Sequence, residues 1–162
     1  VTGEAQRTGH RRIVTGLDPT GRSCILFDGP GGFVTAAAGV RVTSLWQSDR
    51  SPADNSDDTD GADAAYSFAF ARGGTKFLIV EFDPGDGLLG PGMHATDTLD
   101  YGVMLAGRIT LVTQTGEVDL VPGDLIVDRG VPHAWRNRGP EIAKMIFVNI
   151  DAVPVGAGAT VE

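Results

Sequence analysis

The chain is expected to be all-β, a sandwich or barrel of short antiparallel strands, and three observations predict it. Short apolar runs rich in Val, Ile, Leu and Thr recur along its length. Turn signals separate them, and 23 glycines with nine prolines among 162 residues favour turns over long helices. No segment after residue 10 carries a strong 3.6-residue apolar stripe, although residues 63–70 could make one helical turn. Many short strands with regular turns define a sandwich or a barrel.

The elements follow in order. Residues 12–15 lead through Asp18-Pro19-Thr20-Gly21 into 23–27, which the turn Asp28-Gly29-Pro30-Gly31-Gly32 ends. Residues 40–47 form the next strand, with Val42, Ser44 and Trp46 on one face and Arg41, Thr43 and Leu45 on the other. Residues 48–64 read as loop: six aspartates with Ser, Pro and Asn and no apolar period. Residues 76–82 are apolar on both faces, as in a strand covered on each side. After the glycine-rich stretch 84–92 come strands over 94–98, 100–106, 108–113, 117–121 and 125–128. The turns Gln114-Thr115-Gly116 and Pro122-Gly123-Asp124 punctuate them, and residues 133–138 and 144–151 complete the set.

Length and composition suit one domain, expected over residues 11–152, with a flexible N-terminal arm at 1–10 and a C-terminal tail at 153–162. A net charge of −8 argues against nucleic acid, whose phosphates demand clustered Lys and Arg. The same charge would be repelled by an anionic membrane surface, and no apolar run approaches the roughly 20 residues of a membrane span. Cys24 is the single cysteine, so neither an intrachain disulfide nor a zinc–thiolate cluster can form; it reads as a small core residue. With no signal-peptide pattern in Val1-Thr2-Gly3-Glu4, a cytoplasmic location is the expectation.

His94 and His133 carry the chemistry. The first opens the run Met93-His94-Ala95-Thr96-Asp97-Thr98-Leu99-Asp100, and the second lies in Gly130-Val131-Pro132-His133-Ala134-Trp135-Arg136-Asn137. On one extended strand His94, Thr96, Thr98 and Asp100 would all face the same way. If that way is into a barrel, two imidazoles and a carboxylate converge, a ligand set of many Fe, Mn, Zn and Ni sites. The blander alternative makes both histidines core residues bonded to backbone, with Asp100 paired to Arg108 or Arg136. Met104 and Trp135 share faces with Asp100 and His133, so they line the pocket wall or fill the barrel. Asn137 reads as a strand-securing residue.

At these residues the sequence resembles the cupin superfamily, small double-stranded β-helix (jelly-roll) barrels. In the first family motif His94 fills the first histidine position, Thr96 stands where a second is expected, Asp100 replaces the glutamate and Gly107 closes the motif. In the second, Gly123, Gly130, His133 and Asn137 match, while Asp128 replaces a proline. The resemblance covers residues 84–150 and implies a cupin barrel with extra N-terminal strands. By resemblance two chains pair through those strands, residues 11–47, which would also cover exposed edges.

A pocket lined by Thr96, Met104 and Trp135 would surround the metal candidates His94, Asp100 and His133; Asp128 could enter it as well, but the Arg129-Gly130 turn scrambles strand parity there and leaves its orientation undecided. Family sites use three histidines and a glutamate. Thr96 is a poor ligand, and Asp100, one methylene shorter than Glu, stops about 1.5 Å short unless its strand shifts inward. The expected function is therefore a small cupin enzyme acting on a small organic or polyketide-like acid or enol. With a divalent transition metal (Fe, Mn, Zn or Ni), His94, Asp100 and His133 hold the ion, which acts as a Lewis acid in decarboxylation, dehydration, isomerisation, cyclisation or oxygenation. Without one, His133 and Asp100 form an acid–base pair and Trp135 excludes water. The alternative from another class is a non-catalytic, metal-free binder of small molecules.

Other motifs fail. Residues 56–67 lack the final glutamate of a calcium loop, and Gly29-Pro30-Gly31-Gly32 leads into no Gly-Lys-Ser/Thr. No Gly-x-Ser-x-Gly element occurs.

Overall fold

The computed structural model describes residues 10–63, 66–85 and 87–156, and among these it holds twelve strands and no helix. They are β1 (Arg11–Leu17), β2 (Ser23–Pro30), β3 (Phe33–Ala37), β4 (Val40–Ser48), β5 (Thr75–Phe82), β6 (Leu89–His94), β7 (Thr98–Ala106), β8 (Ile109–Thr113), β9 (Glu117–Leu120), β10 (Leu125–Asp128), β11 (His133–Arg136) and β12 (Ala143–Asp151). A six-stranded sheet in the order β10-β7-β12-β5-β4-β3 faces a four-stranded sheet in the order β6-β11-β8-β9, while β1 and β2 form a separate hairpin. Every pairing is antiparallel. The all-β barrel expected from the sequence is the fold observed.

Alternation along the strands decides what faces the lumen. On β12, Ala143, Met145, Phe147 and Asn149 are buried, and on β7 Thr98, Asp100 and Met104 are. Leu78, Val80 and Phe82 of β5 meet them from the same sheet, and Ile109, Leu120 and Trp135 from the other. One end of the barrel is thus filled with apolar side chains. Polar residues concentrate toward the opposite end, and there the site lies. Asn137, fully buried, ties the strands that support it: its Nδ2 donates to Phe82 O at 2.9 Å and Glu141 O at 2.8 Å, and its Oδ1 accepts Gly139 N–H at 3.0 Å. The strand-securing role expected of it is the one it has.

Several expectations are corrected. The strand expected over 94–98 does not exist as one element: β6 ends at His94, residues 95–97 cross between the sheets, and β7 begins at Thr98. Alternation from His94 to Asp100 is therefore interrupted, and the two residues stand on facing sheets. Residues 66–70 form no helical turn, and residues 64 and 65 lie outside the described residues. β3 was not legible, because Phe-Val-Thr-Ala-Ala has little alternation. It is joined to β4 by Ala38 and Gly39, both at positive φ (48° and 76°), the geometry of a type I′ hairpin without its usual Asn-Gly signature. Cys24 is half-buried in the β1–β2 hairpin and takes no part in the core. Residues 1–9 of the expected N-terminal arm and 157–162 of the expected C-terminal tail lie outside the described residues. Among those described, no helix is long and apolar enough to cross a membrane.

Candidate active site

β6 and β11 bring the two histidines together. His133 and His94 are cross-strand partners, and their rings lie 4.5 Å apart between centroids. The facing sheet does the same for carboxyls: Asp128 of β10 pairs with Asp100 of β7, which pairs on its other side with Asn149 of β12. All five side chains line one cavity of about 100 Å³. Cross-strand register, rather than spacing along a strand, assembles the site.

Backbone contacts fix both imidazoles. His94 Nδ1 lies 2.8 Å from Gly92 O, and a carbonyl can only accept, so Nδ1 carries the proton and Nε2 is the free nitrogen. His133 Nδ1 likewise lies 2.9 Å from Val131 O and 2.8 Å from Asp128 Oδ2. Asp128 is held in turn by the N–H groups of Gly130 at 3.0 Å and Val131 at 3.3 Å. This answers which way Asp128 points: into the cavity, onto His133. Gly130 has φ +71°, and a Cβ there would come within 2.8 Å of Thr98 O, so only glycine lets the β10–β11 turn lie against the crossover.

The environments drive the titrations apart. Burial opposes the charge on His133, but the hydrogen bond and charge of Asp128 outweigh it and hold the imidazole above its ordinary 6.5. His94 moves the other way, pushed down chiefly by burial and also by His133. Burial raises Asp100, against hydrogen bonds from Asn149 and Thr98, while Asp128 adds its repulsion. Asp128 resists burial through His133 and its two backbone donors and stays below 3.8. Perturbed titratable groups clustered in one cleft make it a candidate functional site.

The metal reading meets an obstacle. Among the described residues no group of three or more His, Cys, Asp or Glu side chains is placed to hold an ion. The reasons are local. Asp100 stands on the sheet opposite the histidines, Thr96 hydrogen-bonds Thr98 at 2.7 Å, and Asp128 bonds the Nδ1 of His133. The expected ligand set His94, Asp100 and His133 shares a cavity without closing into a ligand cluster, so the donor groups as arranged do not fit a metal. The alternative partners of Asp100 also fall away: Arg108 pairs with Asp119 and Arg136 with Glu117.

Of the expected pocket residues, Thr96, Asp128 and Trp135 line the cavity. Met104 does not. It lies on the same face of β7 as Asp100 but four residues on, roughly 13 Å along a strand, in the filled end of the barrel at 1% exposure.

Sequence reasoning missed one wall. Tyr66, Phe68 and Phe70, from the connection between β4 and β5, lie over the cavity. Lys76 pins this segment, donating to Ser67 O and Ala69 O at 2.6 Å each, with its Nζ 4.2 Å from the Phe70 ring centroid. The signal was present: three aromatic residues at every second position mark an extended segment with one aromatic face. Asn149 was missed too, although it shares parity with Met145 and Phe147.

Residues 78–149 match the family model of the cupin domain, Cupin_2, and this part of the chain is a cupin domain. The chain is 42% identical over 88 residues to phomopsin biosynthesis cluster protein D of Diaporthe leptostromiformis, a match covering 53% of this chain and 45% of that protein. It is 27% identical over 148 residues to the cupin-domain-containing oxidoreductase fogC of Aspergillus ruber, covering 86% and 71%. The chain thus spans less than half the length of the first of these relatives. Among solved structures, the cupin domain of Schizosaccharomyces pombe Cnp3 superposes with a TM-score of 0.51 at 10% identity, covering 87% of each chain, a likeness of fold alone.

Proposed function

We propose that the cavity is a metal-free acid–base site that moves protons on a small enolisable organic compound, as in isomerisation or dehydration. The observation that carries this reading is His133, held through Nδ1 by Asp128 at 2.8 Å, sharing a cavity with Asp100, a buried carboxyl whose Oδ1 has no hydrogen-bond partner among the described residues. His133, kept protonated by Asp128, donates from Nε2 to a substrate carbonyl oxygen. Asp100, made more basic by burial, removes the proton from the adjacent carbon. Trp135 and the aromatic segment over the cavity keep water from competing. Similarity to proteins named for biosynthetic clusters supports a substrate drawn from secondary metabolism.

The test is hydrogen exchange. Small cyclic diketones and hydroxy-enones incubated with the protein in D2O should take up deuterium beside the carbonyl. His133→Ala should slow uptake by about 10²-fold or more, within the usual contribution of a general acid. Binding of such compounds without any exchange would favour the second reading, a non-catalytic binding pocket, which the aromatic walls also suit.

A further inference from the structure

We infer that the ligand of this cavity is an uncharged, planar single ring bearing a hydroxyl or enol O–H, which it donates to Asp100 Oδ1 and Asn149 Oδ1. The inference takes the identity of the site from the acid–base reading above, and its chemistry from three further observations.

The first is a pair of buried acceptors. Asp100 and Asn149 are 9% and 8% exposed, they are cross-strand partners, and one oxygen of each lacks a hydrogen-bond partner among the described residues. Buried oxygens normally have partners, so two adjacent ones in a cavity wall point to a donor that the ligand brings.

The second is the distribution of charge. Among the described residues no Lys or Arg lines the cavity. Lys76, which holds the aromatic segment, directs its N–H groups to Ser67 O and Ala69 O. An anionic ligand would meet the like charges of Asp100 and Asp128, and an ammonium ion would meet the like charge of protonated His133. Burying a further net charge beside a like one is disfavoured. A neutral hydroxyl satisfies the acceptors without that cost.

The third is shape. Ring contacts run without a break from Tyr66 to Phe68, His94, His133 and Trp135, with centroid separations of 5.4, 5.7, 4.5 and 5.8 Å. This arc faces the sheet carrying Asp100 and Asn149, so a flat ligand can stack on the arc with one edge toward the acceptors. A cavity of about 100 Å³, smaller than the roughly 150 Å³ that accommodates benzene, leaves room for no more than a single ring, part of it in the mouth. Phe68, 40% exposed, sits at the rim, where larger substituents would leave.

Titration calorimetry with four probes of one size tests this: para-cresol, its methyl ether, para-toluate and para-methylbenzylammonium. Para-cresol should bind at least about tenfold more tightly than each of the others, since each lacks the donor or carries a charge that an ionised group of the cavity repels. Its preference over the ether should vanish in Asp100→Leu, and in Asn149→Leu should the first variant fail to fold. Phe68→Ala should weaken cresol and ether alike. Equal or tighter binding of the ether, the toluate or the ammonium ion would overturn the inference, as would an unchanged preference in a folded Asp100→Leu or Asn149→Leu protein. In His133→Ala the preference should persist while deuterium exchange is lost. Exchange absent from the wild type with the preference intact would sink only the acid–base reading, and the converse would sink only this one.

Discussion

His133 shows how one contact sets both a charge state and a share of stability. With Asp128 2.8 Å away its proton is retained above pH 6.5, while Asp128 keeps its charge down to below pH 3.8. A rate that needs Asp100 ionised and His133 protonated rises with pH through a value above 3.8 and falls again through one above 6.5. Asp128→Asn removes the anion, so the alkaline limb of kcat/KM should move to lower pH, with a loss near pH 8 on the order of 10²-fold. A limb that stays in place would show that Asp128 does not govern His133. Stability follows the same pair. A raised histidine contributes stability that is complete below its unfolded value and fades as pH climbs through the folded one. A depressed aspartate contributes stability that is complete above its unfolded value and is lost as pH falls through the folded one. The Tm difference between wild type and Asp128→Asn should therefore be widest between pH 3.8 and 6.5, as scanning calorimetry across pH can check. At this scale the sequence identified His94, His133, Asp100, Thr96, Asp128 and Trp135 as pocket residues, because motif spacing survives the uneven strand lengths. The partner of His133 was not legible: the Gly130 turn breaks the alternation from which an orientation is read.

Turns and crossovers, rather than strands, control the site's assembly. Strand positions were largely readable from apolar runs, and β5, β8, β10 and β12 fall within a residue or two of expectation. Which sheet each strand joins was not readable, since nothing local in Ala95-Thr96-Asp97 announces a crossing between sheets. The aromatic segment at 66–70 escaped for a related reason: it forms no ladder and is fixed by one amine, Lys76, donating to its carbonyls. The most exposed joint is Gly130, where the β10–β11 turn meets the backbone of Thr96 and Thr98. Gly130→Ala would put a Cβ within 2.8 Å of Thr98 O at a φ of +71°, so the turn and crossover must separate. We expect a loss of roughly 1–3 kcal/mol in urea unfolding, as for other overpacked positions. A larger proportional loss of turnover should accompany it, because Asp128 and His133 flank the displaced turn. Unchanged stability would mean that the close approach is not a feature of the folded protein in solution.

Across the whole molecule the hairpin of β1 and β2 stands apart from both sheets of the barrel, and an isolated two-stranded ribbon is marginal in water. Side chains on its inner face tie it down: Arg12 reaches Asp60 and the Leu45 carbonyl and lies over the Phe27 ring. Its outer face is open, with Ile13, Leu17 and Ile25 between 52% and 61% exposed beside the Arg11–Asp28 ion pair. A second copy laid on that face would cover it, in line with pairing through the N-terminal strands. The barrel offers a competing strip on β7 and β10, where Leu125 and Val127 are 75% and 61% exposed beside Tyr101 and Leu105. Light scattering separates the choices. Pairing through the hairpin requires about twice the 16.9 kDa chain mass for the wild type and a single-chain mass for the double variant Ile13→Glu, Ile25→Glu, with cresol binding retained. Dissociation by Leu125→Glu, Val127→Glu in place of the hairpin variant would move the interface to the barrel wall. A wild-type protein that scatters as one chain would leave both faces open to solvent and end the case for a dimer.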